Sequence, residues 1–118
     1  MIFIKIGVFF CITSIVIGAF GAHLFEDLIA DKIDTFKTGL QYHMFHALAL
    51  IIIGILSVNY SMDLNLVGYL FITGIFLFSG SLYLIAICKY SFLGIVAPIG
   101  GLALILAWAI LLYNLNKL

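Results

Sequence analysis

The sequence predicts an all-α integral membrane protein: four transmembrane helices, with a short interfacial amphipathic helix between the first and the second. Three observations carry that expectation. Hydrophobic residues make up 66% of the 118 and charged residues 8%, where soluble domains run at about 45–50% and about 25%. Mean hydropathy is +1.36. The apolar residues gather in four runs, at about 2–22, 39–58, 66–88 and 95–113, each near the roughly 20 residues that a helix needs to cross the hydrocarbon core. A chain of this length makes one domain, residues 1–118. The formal net charge is zero, so the basic footprint of a nucleic-acid binder is absent. The expected partners are membrane lipids, with a homo-oligomer as a further option and no nucleic acid.

In the first run, Lys5 ahead of an apolar stretch ending Ala19-Phe20-Gly21 resembles a signal peptide. The run is long enough to span, and we read it as a retained helix. Ser14, Gly18 and Ala22 recur every fourth position, a strip that lets two helix backbones approach closely in a membrane. Intramolecular packing is the favoured use of that strip. Ala97/Gly101 and Ala103/Ala107 form similar strips in the fourth run. Residues 24–36 at 100° per residue place Leu24, Phe25, Leu28, Ile29, Ile33 and Phe36 on one half of the circle, with Glu26, Asp27, Asp31, Asp34 and Lys37 on the other. Lys32 alone falls among the apolar positions, where its long stem can carry the ammonium to the headgroups. That pattern fits a helix lying in the membrane interface.

The second span opens Thr38-Gly39, then Gln41, Tyr42, His43 and His46. A polar link from Asn59 to Asn65 leads to the third span, which is apolar except for Ser79-Gly80-Ser81 and Tyr83. A second link, Lys89 to Gly94, precedes Ala97-Pro98-Ile99-Gly100-Gly101. Pro98 is tolerated near a helix start, where its missing donor is not needed. Trp108 and Tyr113 are expected near the far interface, where amphipathic aromatics are enriched. Cys11 and Cys88 lie at different depths and are read as small apolar residues without a disulfide. Basic residues number three on the side of the links at 24–37 and 89–94 (Lys32, Lys37, Lys89) and two beside the termini (Lys5, Lys117). The positive-inside rule then places the termini outside.

Alternating direction brings His23, at the end of span one, to the same half of the membrane as His43 and His46, Ser79 to Tyr83, and the Pro-Ile-Gly-Gly opening of span four. His43 and His46 stand three apart on one helix, and Tyr42 lies one turn from His46. A one-sided polar pocket follows, lidded by the interfacial helix and lined by His23, Gln41, Tyr42, His43, His46, Ser79, Ser81, Tyr83, Pro98, Gly100 and Gly101. His23 and His46 are its leading members. Ionisable groups inside a bilayer are costly and point to function, although histidines that only stitch helices together by hydrogen bonds are the plainer explanation. No HxxxH or HExxH spacing occurs, so no metal site and no cofactor are expected. The serines lack a base and an orienter, so no catalytic residue is assigned.

Gly18-Ala19-Phe20-Gly21-Ala22-His23, Phe36-Lys37-Thr38-Gly39 with Tyr42 and His46-Ala47-Leu48-Ala49-Leu50, Phe78-Ser79-Gly80-Ser81-Leu82-Tyr83, and Pro98-Ile99-Gly100-Gly101 before Trp108 occur in this order. With these four motifs the chain resembles the YgdD/YwdK-like small membrane proteins, domain-of-unknown-function family 423, whose eukaryotic relatives are called transmembrane protein 256. It departs at His43, where Gln is common, at Ala97, where Thr is usual, and at Ala107, where Gly usually precedes the Trp. The resemblance implies a four-helix protein of the bacterial inner membrane and implies no activity. The expected function is therefore that of a non-enzymatic membrane protein whose pocket binds a lipid headgroup or small amphiphile. The alternatives are an oligomeric channel or transporter, and a His-dependent metal or quinone redox protein.

Overall fold

The computed structural model describes the backbone of all 118 residues and every side chain but that of Ala22. Six α-helices follow one another: α1 (Ile2–His23), α2 (Glu26–Ile29), α3 (Ile33–Asn59), α4 (Asn65–Gly74), α5 (Gly80–Cys88) and α6 (Val96–Leu115). A 3-10 turn, Ala30–Lys32, joins α2 to α3, and another, Ser91–Gly94, precedes α6. Between α4 and α5 the chain stays helical but widens into a π turn, Ile75–Ser79, closed by a hydrogen bond from the Gly80 N–H to the Ile75 carbonyl. Four stretches are long and apolar enough to cross a membrane: α1, α3, the α4–π–α5 rod, and α6.

The reversal after α1 differs in detail from the amphipathic helix expected over 24–36. Its helical register breaks at Phe25 (φ −108°, ψ 15°), Ile29 (φ −101°, ψ 0°) and Lys32 (φ −128°, ψ 31°). Only Glu26–Ile29 forms a separate α-helix, and Ile33–Lys37 joins α3. Packing explains the split, because the Phe36 ring occupies the space left by the absent side chain of Gly21 and draws these residues onto the α3 axis. At 1.5 Å per residue the 27 residues of α3 reach about 40 Å, longer than a hydrocarbon core of about 30 Å. Its first turns therefore project to the membrane surface beside α2. Lys89, in the left-handed conformation at φ 62° that ends α5, holds this corner down. Its ammonium donates to the Leu28 carbonyl (2.6 Å), the Asp31 carboxylate (2.5 Å) and the Ala86 carbonyl (2.8 Å).

α3 and the α4–π–α5 rod form a central pair, with α1 packed mainly on α3 and α6 mainly on α4 and the π turn. Small residues set both outer contacts. A Cβ at Gly7 of α1 would lie 2.7 Å from Ile51 and 2.8 Å from the Ala47 carbonyl, closer than any packed carbon can sit. On the other side Gly74 meets Leu104, and Gly100 meets the backbone of Leu77 and Phe78. The buried stripe of α6 is thus Ala97, Gly100, Leu104, Ala107 and Leu111. Gly101 and Ala103 of the expected strips lie beside this stripe, only half-buried. The α1 strip is used within the chain, since Gly18 faces Leu40 of α3 and buried Ser14 returns its hydroxyl proton to the Cys11 carbonyl. The Ala22 side chain lies outside those described. Phe71, Leu50, Ile53, Leu64 and Val67 fill the centre, and most other large apolar side chains face outward, as a lipid solvent permits. Both cysteines are free.

Candidate functional site

Two clefts, not one, hold the polar residues, and they lie on different sides of α3. The larger, about 490 Å³, opens between α3, the π turn and α6 and is lined by Gln41, Tyr42, Phe45, His46, Phe78, Gly101, Leu104, Ile105 and Trp108. The smaller, about 310 Å³, opens among α1, α3 and the junction of the π turn with α5, where Thr13, His43, Ser79, Gly80 and Tyr83 meet Phe9, Phe10, Ile17, Ile75 and Phe76. Residues three apart on a helix share a face but differ by about 60° in direction. That angle sends His43 towards Thr13 of α1 and Tyr83 of α5, and His46 across the larger cleft towards Trp108 of α6.

His43 and His46 are each buried and have both ring nitrogens engaged, in opposite senses. The His46 Nδ1 lies 2.8 Å from the Tyr42 carbonyl, and its Nε2 lies 3.0 Å from the Trp108 indole nitrogen. A carbonyl only accepts and an indole N–H only donates, so His46 is neutral with its proton on Nδ1. The His43 Nε2 lies 3.1 Å from the Thr13 hydroxyl, which itself donates to the Phe10 carbonyl at 3.0 Å. That leaves Thr13 only lone pairs for His43, so the His43 proton sits on Nε2. The His43 Nδ1 then accepts from the Tyr83 hydroxyl at 2.8 Å. A directed chain results, Tyr83 to His43 to Thr13 to Phe10.

Aromatic packing reinforces both nodes. The Trp108 ring meets Phe71 edge-on at 4.9 Å between centroids and Phe45 at 5.9 Å, and Tyr42 lies 4.7 Å from Phe78. Phe10 meets His43 at 5.9 Å and Phe76 at 5.6 Å, both edge-on. Such pairs add about 0.5–1.5 kcal/mol each beyond area burial. Among the buried side-chain polar atoms of the described residues, the Ser79 hydroxyl is without a protein partner, on a residue only 1% exposed.

The expected pocket residues therefore divide. Gln41, Tyr42, His46 and Gly101 come together in the larger cleft, and His43, Ser79 and Tyr83 in the smaller. His23 is exposed at the end of α1, Pro98 is exposed in the first turns of α6, Ser81 is buried within α5, and Gly100 is consumed by helix contact. These four line neither cleft. The expected lid is also absent, because no residue of α2 lines either cleft, and Ile29 packs instead with Phe36 and Ala86. Trp108 is not an interfacial anchor. Two turns before the end of α6, its indole N–H is spent on His46 of α3 instead. Tyr113 does stand exposed near the far end of α6, with the Lys117 ammonium 4.5 Å over its ring. Sequence reasoning missed Thr13, whose hydroxyl beside that of Ser14 in an apolar run was the only signal, and Phe45, Phe78, Leu104 and Ile105, which carry none.

The family model described as "Protein of unknown function (DUF423)" matches residues 17–101. A UPF0382 membrane protein of Staphylococcus haemolyticus is 39% identical over 117 residues, covering 98% of this chain and 96% of its own length. The UPF0382 membrane protein YwdK of Bacillus subtilis is 41% identical over 110 residues, with 91% and 89% covered. A UPF0382 membrane protein of Staphylococcus saprophyticus is 36% identical over 118 residues, with 99% and 98% covered. No solved structure matches the chain. With its four membrane-capable helices and these relatives along nearly its whole length, the chain belongs to the DUF423 family of small membrane proteins, whose function is unknown.

Proposed function

We propose that the protein is a non-enzymatic membrane component that binds a lipid or small amphiphile in the larger cleft. The observation that carries this reading is the polarity gradient along that cleft. Gln41, Tyr42 and Gly101 line the end nearer the surface that bears α2. The Gln41 amide and the Tyr42 hydroxyl have no protein partner among the described residues. Leu104, Ile105 and Trp108 line the deeper end. An amphiphile entering from the bilayer would set its headgroup against Gln41 and Tyr42 and its chain along α6, matching polarity to depth. His46 and Trp108 spend their polar atoms on each other, so they serve as a wall.

Trp108 is the single tryptophan of the chain and reports on this cleft directly. In nanodiscs, lipids brominated midway along the acyl chain should quench its fluorescence more than expected for free diffusion, and native mass spectrometry should retain lipid on the protein. Gln41→Leu with Tyr42→Phe removes two hydrogen bonds and should weaken retention about tenfold. Retention that is nil, or unchanged in the double variant, contradicts the reading. The same reading places the protein in the bacterial cytoplasmic membrane with its termini outside and α2 inside. Cys88 is exposed at the α2 side, so a membrane-impermeant maleimide should label it only after the cells are opened.

A further inference from the structure

We propose that the lipid of the larger cleft is a glycerophospholipid with a primary-amine headgroup, recognised by Asp34, Lys37 and Gln41 along one stripe of α3. The proposal rests on the reading of that cleft as a lipid site and names the lipid. α3 runs unbroken from Ile33 to Asn59, so directions around it follow from a turn of about 100° per residue. Asp34, Lys37, Gln41 and Phe45 then fall within about 80° of one another, and all four residues are exposed. Gln41 and Phe45 line the larger cleft, so the stripe leads into it. Along the stripe the side chains change character in order: carboxylate, ammonium, amide, aromatic ring.

The complementary order runs down an aminophospholipid from water to hydrocarbon: ammonium, phosphate, ester carbonyl, acyl chain. The depths agree as well. A core of about 30 Å takes about 20 helical residues, so counted back from Asn59 it ends near Gly39. Gln41 then lies about 3 Å inside that edge, with Lys37 and Asp34 about 3 and 7 Å outside it. At those levels the Lys37 ammonium pairs with the phosphate and the Asp34 carboxylate accepts from the lipid ammonium. The Gln41 amide N–H and the Tyr42 hydroxyl donate to ester carbonyls. Both charges are free for this. Among the described residues the one salt bridge joins Lys89 to Asp31, so Asp34 and Lys37 do not pair even with each other, although residues three apart on a helix are neighbours. The pair of charges also narrows the headgroup. A carboxylate one turn beyond the phosphate site repels a headgroup of net negative charge, and a quaternary ammonium has no N–H to give it. A diacylglycerol leaves both charges unused.

Native mass spectrometry tests the proposal with the protein offered equal amounts of dioleoyl phosphatidylethanolamine, phosphatidylglycerol, phosphatidylcholine and diacylglycerol. The wild type should retain phosphatidylethanolamine best, by about fivefold, the scale of an exposed ion pair. Asp34→Asn should lower it to the level of phosphatidylcholine, and Lys37→Gln should lower all three phospholipids towards diacylglycerol. Exchanging the two residues, as Asp34→Lys with Lys37→Asp, keeps every charge but reverses their order and should erase the preference. Both positions are exposed, so helical circular dichroism should be unchanged in all three variants. Gln41→Leu with Tyr42→Phe should weaken the four lipids alike, because each carries ester carbonyls. Equal retention of the four by the wild type overturns the headgroup assignment and leaves the cleft standing as a lipid site. So does a preference that survives the exchange. Retention of none of them overturns both readings.

Discussion

His43 and His46 stand less than one helical turn apart, and almost everything about their surroundings differs. His46 donates to a backbone carbonyl of its own helix and accepts from Trp108, so one bond holds the ring in place and the other ties α3 to α6. His43 uses both nitrogens on side chains of other helices, Tyr83 on α5 and Thr13 on α1. Two residues of one type thus join different pairs of helices, with opposite tautomers. Each node borders a cleft open to lipid, and the clefts differ likewise. The one beside His46 has unengaged polar groups at its mouth, and the one beside His43 presents almost only apolar surface. Opposite hydrogen-bond polarity at so short a spacing sets the two sides of α3 apart.

The largest expected effect of testing this comparison falls at the His46 node. His46→Ala strips the acceptor from a buried indole N–H and leaves a cavity beside Phe71, and thermal or denaturant unfolding in detergent should show a loss of about 3 kcal/mol or more. Tyr83→Phe removes only the donor to His43 Nδ1 and should cost about 1–2 kcal/mol without altering Trp108 fluorescence. Thr13→Val is nearly isosteric, removes the acceptor at the other nitrogen, and should cost about 1 kcal/mol. A loss in Thr13→Val equal to that in His46→Ala would erase the distinction between the nodes. Without any substitution, nitrogen-15 solid-state NMR at neutral pH should resolve two neutral imidazoles, one protonated at Nδ1 and one at Nε2. Two identical tautomers would refute the hydrogen-bond directions assigned above.

The smallest effect concerns the corner outside both nodes. Asp31 stands on the 3-10 turn ahead of the membrane-spanning part of α3, and the hydrogen bond from Lys89 holds its carboxyl below the usual carboxylate value, with the nearby positive charge acting in the same direction. A depressed folded-state pKa means that the contact stabilises above the ordinary carboxylate range and is lost as pH falls through the lowered value. Both groups are exposed, so solvent screens the pair and its contribution is small. Protection of the amide hydrogens over residues 26–32, relative to their intrinsic exchange at each pH, should fall modestly on acidification, and Lys89→Met should abolish that pH dependence.

Composition and run length sufficed to establish the four helices and the membrane setting, because the cost of exposing backbone polar groups to hydrocarbon leaves an apolar run of that length no other regular form. Alternating direction likewise brought the polar residues of four spans to one region. Helix rotation was not legible, since a helix surrounded by lipid and by other helices is apolar on every side and carries no stripe to mark its inner face. Hence Trp108, placed at the surface from its residue type, turns out to be the partner of His46, and His23, placed in a pocket from its position, is exposed. The division of one expected pocket into two came from the place of α3 against α1 on one side and the α4–π–α5 rod on the other, where a difference of about 60° decides which neighbour a side chain meets. Such angles are set by where Gly7, Gly74 and Gly100 let backbones touch, and those contacts exist only once the helices have assembled.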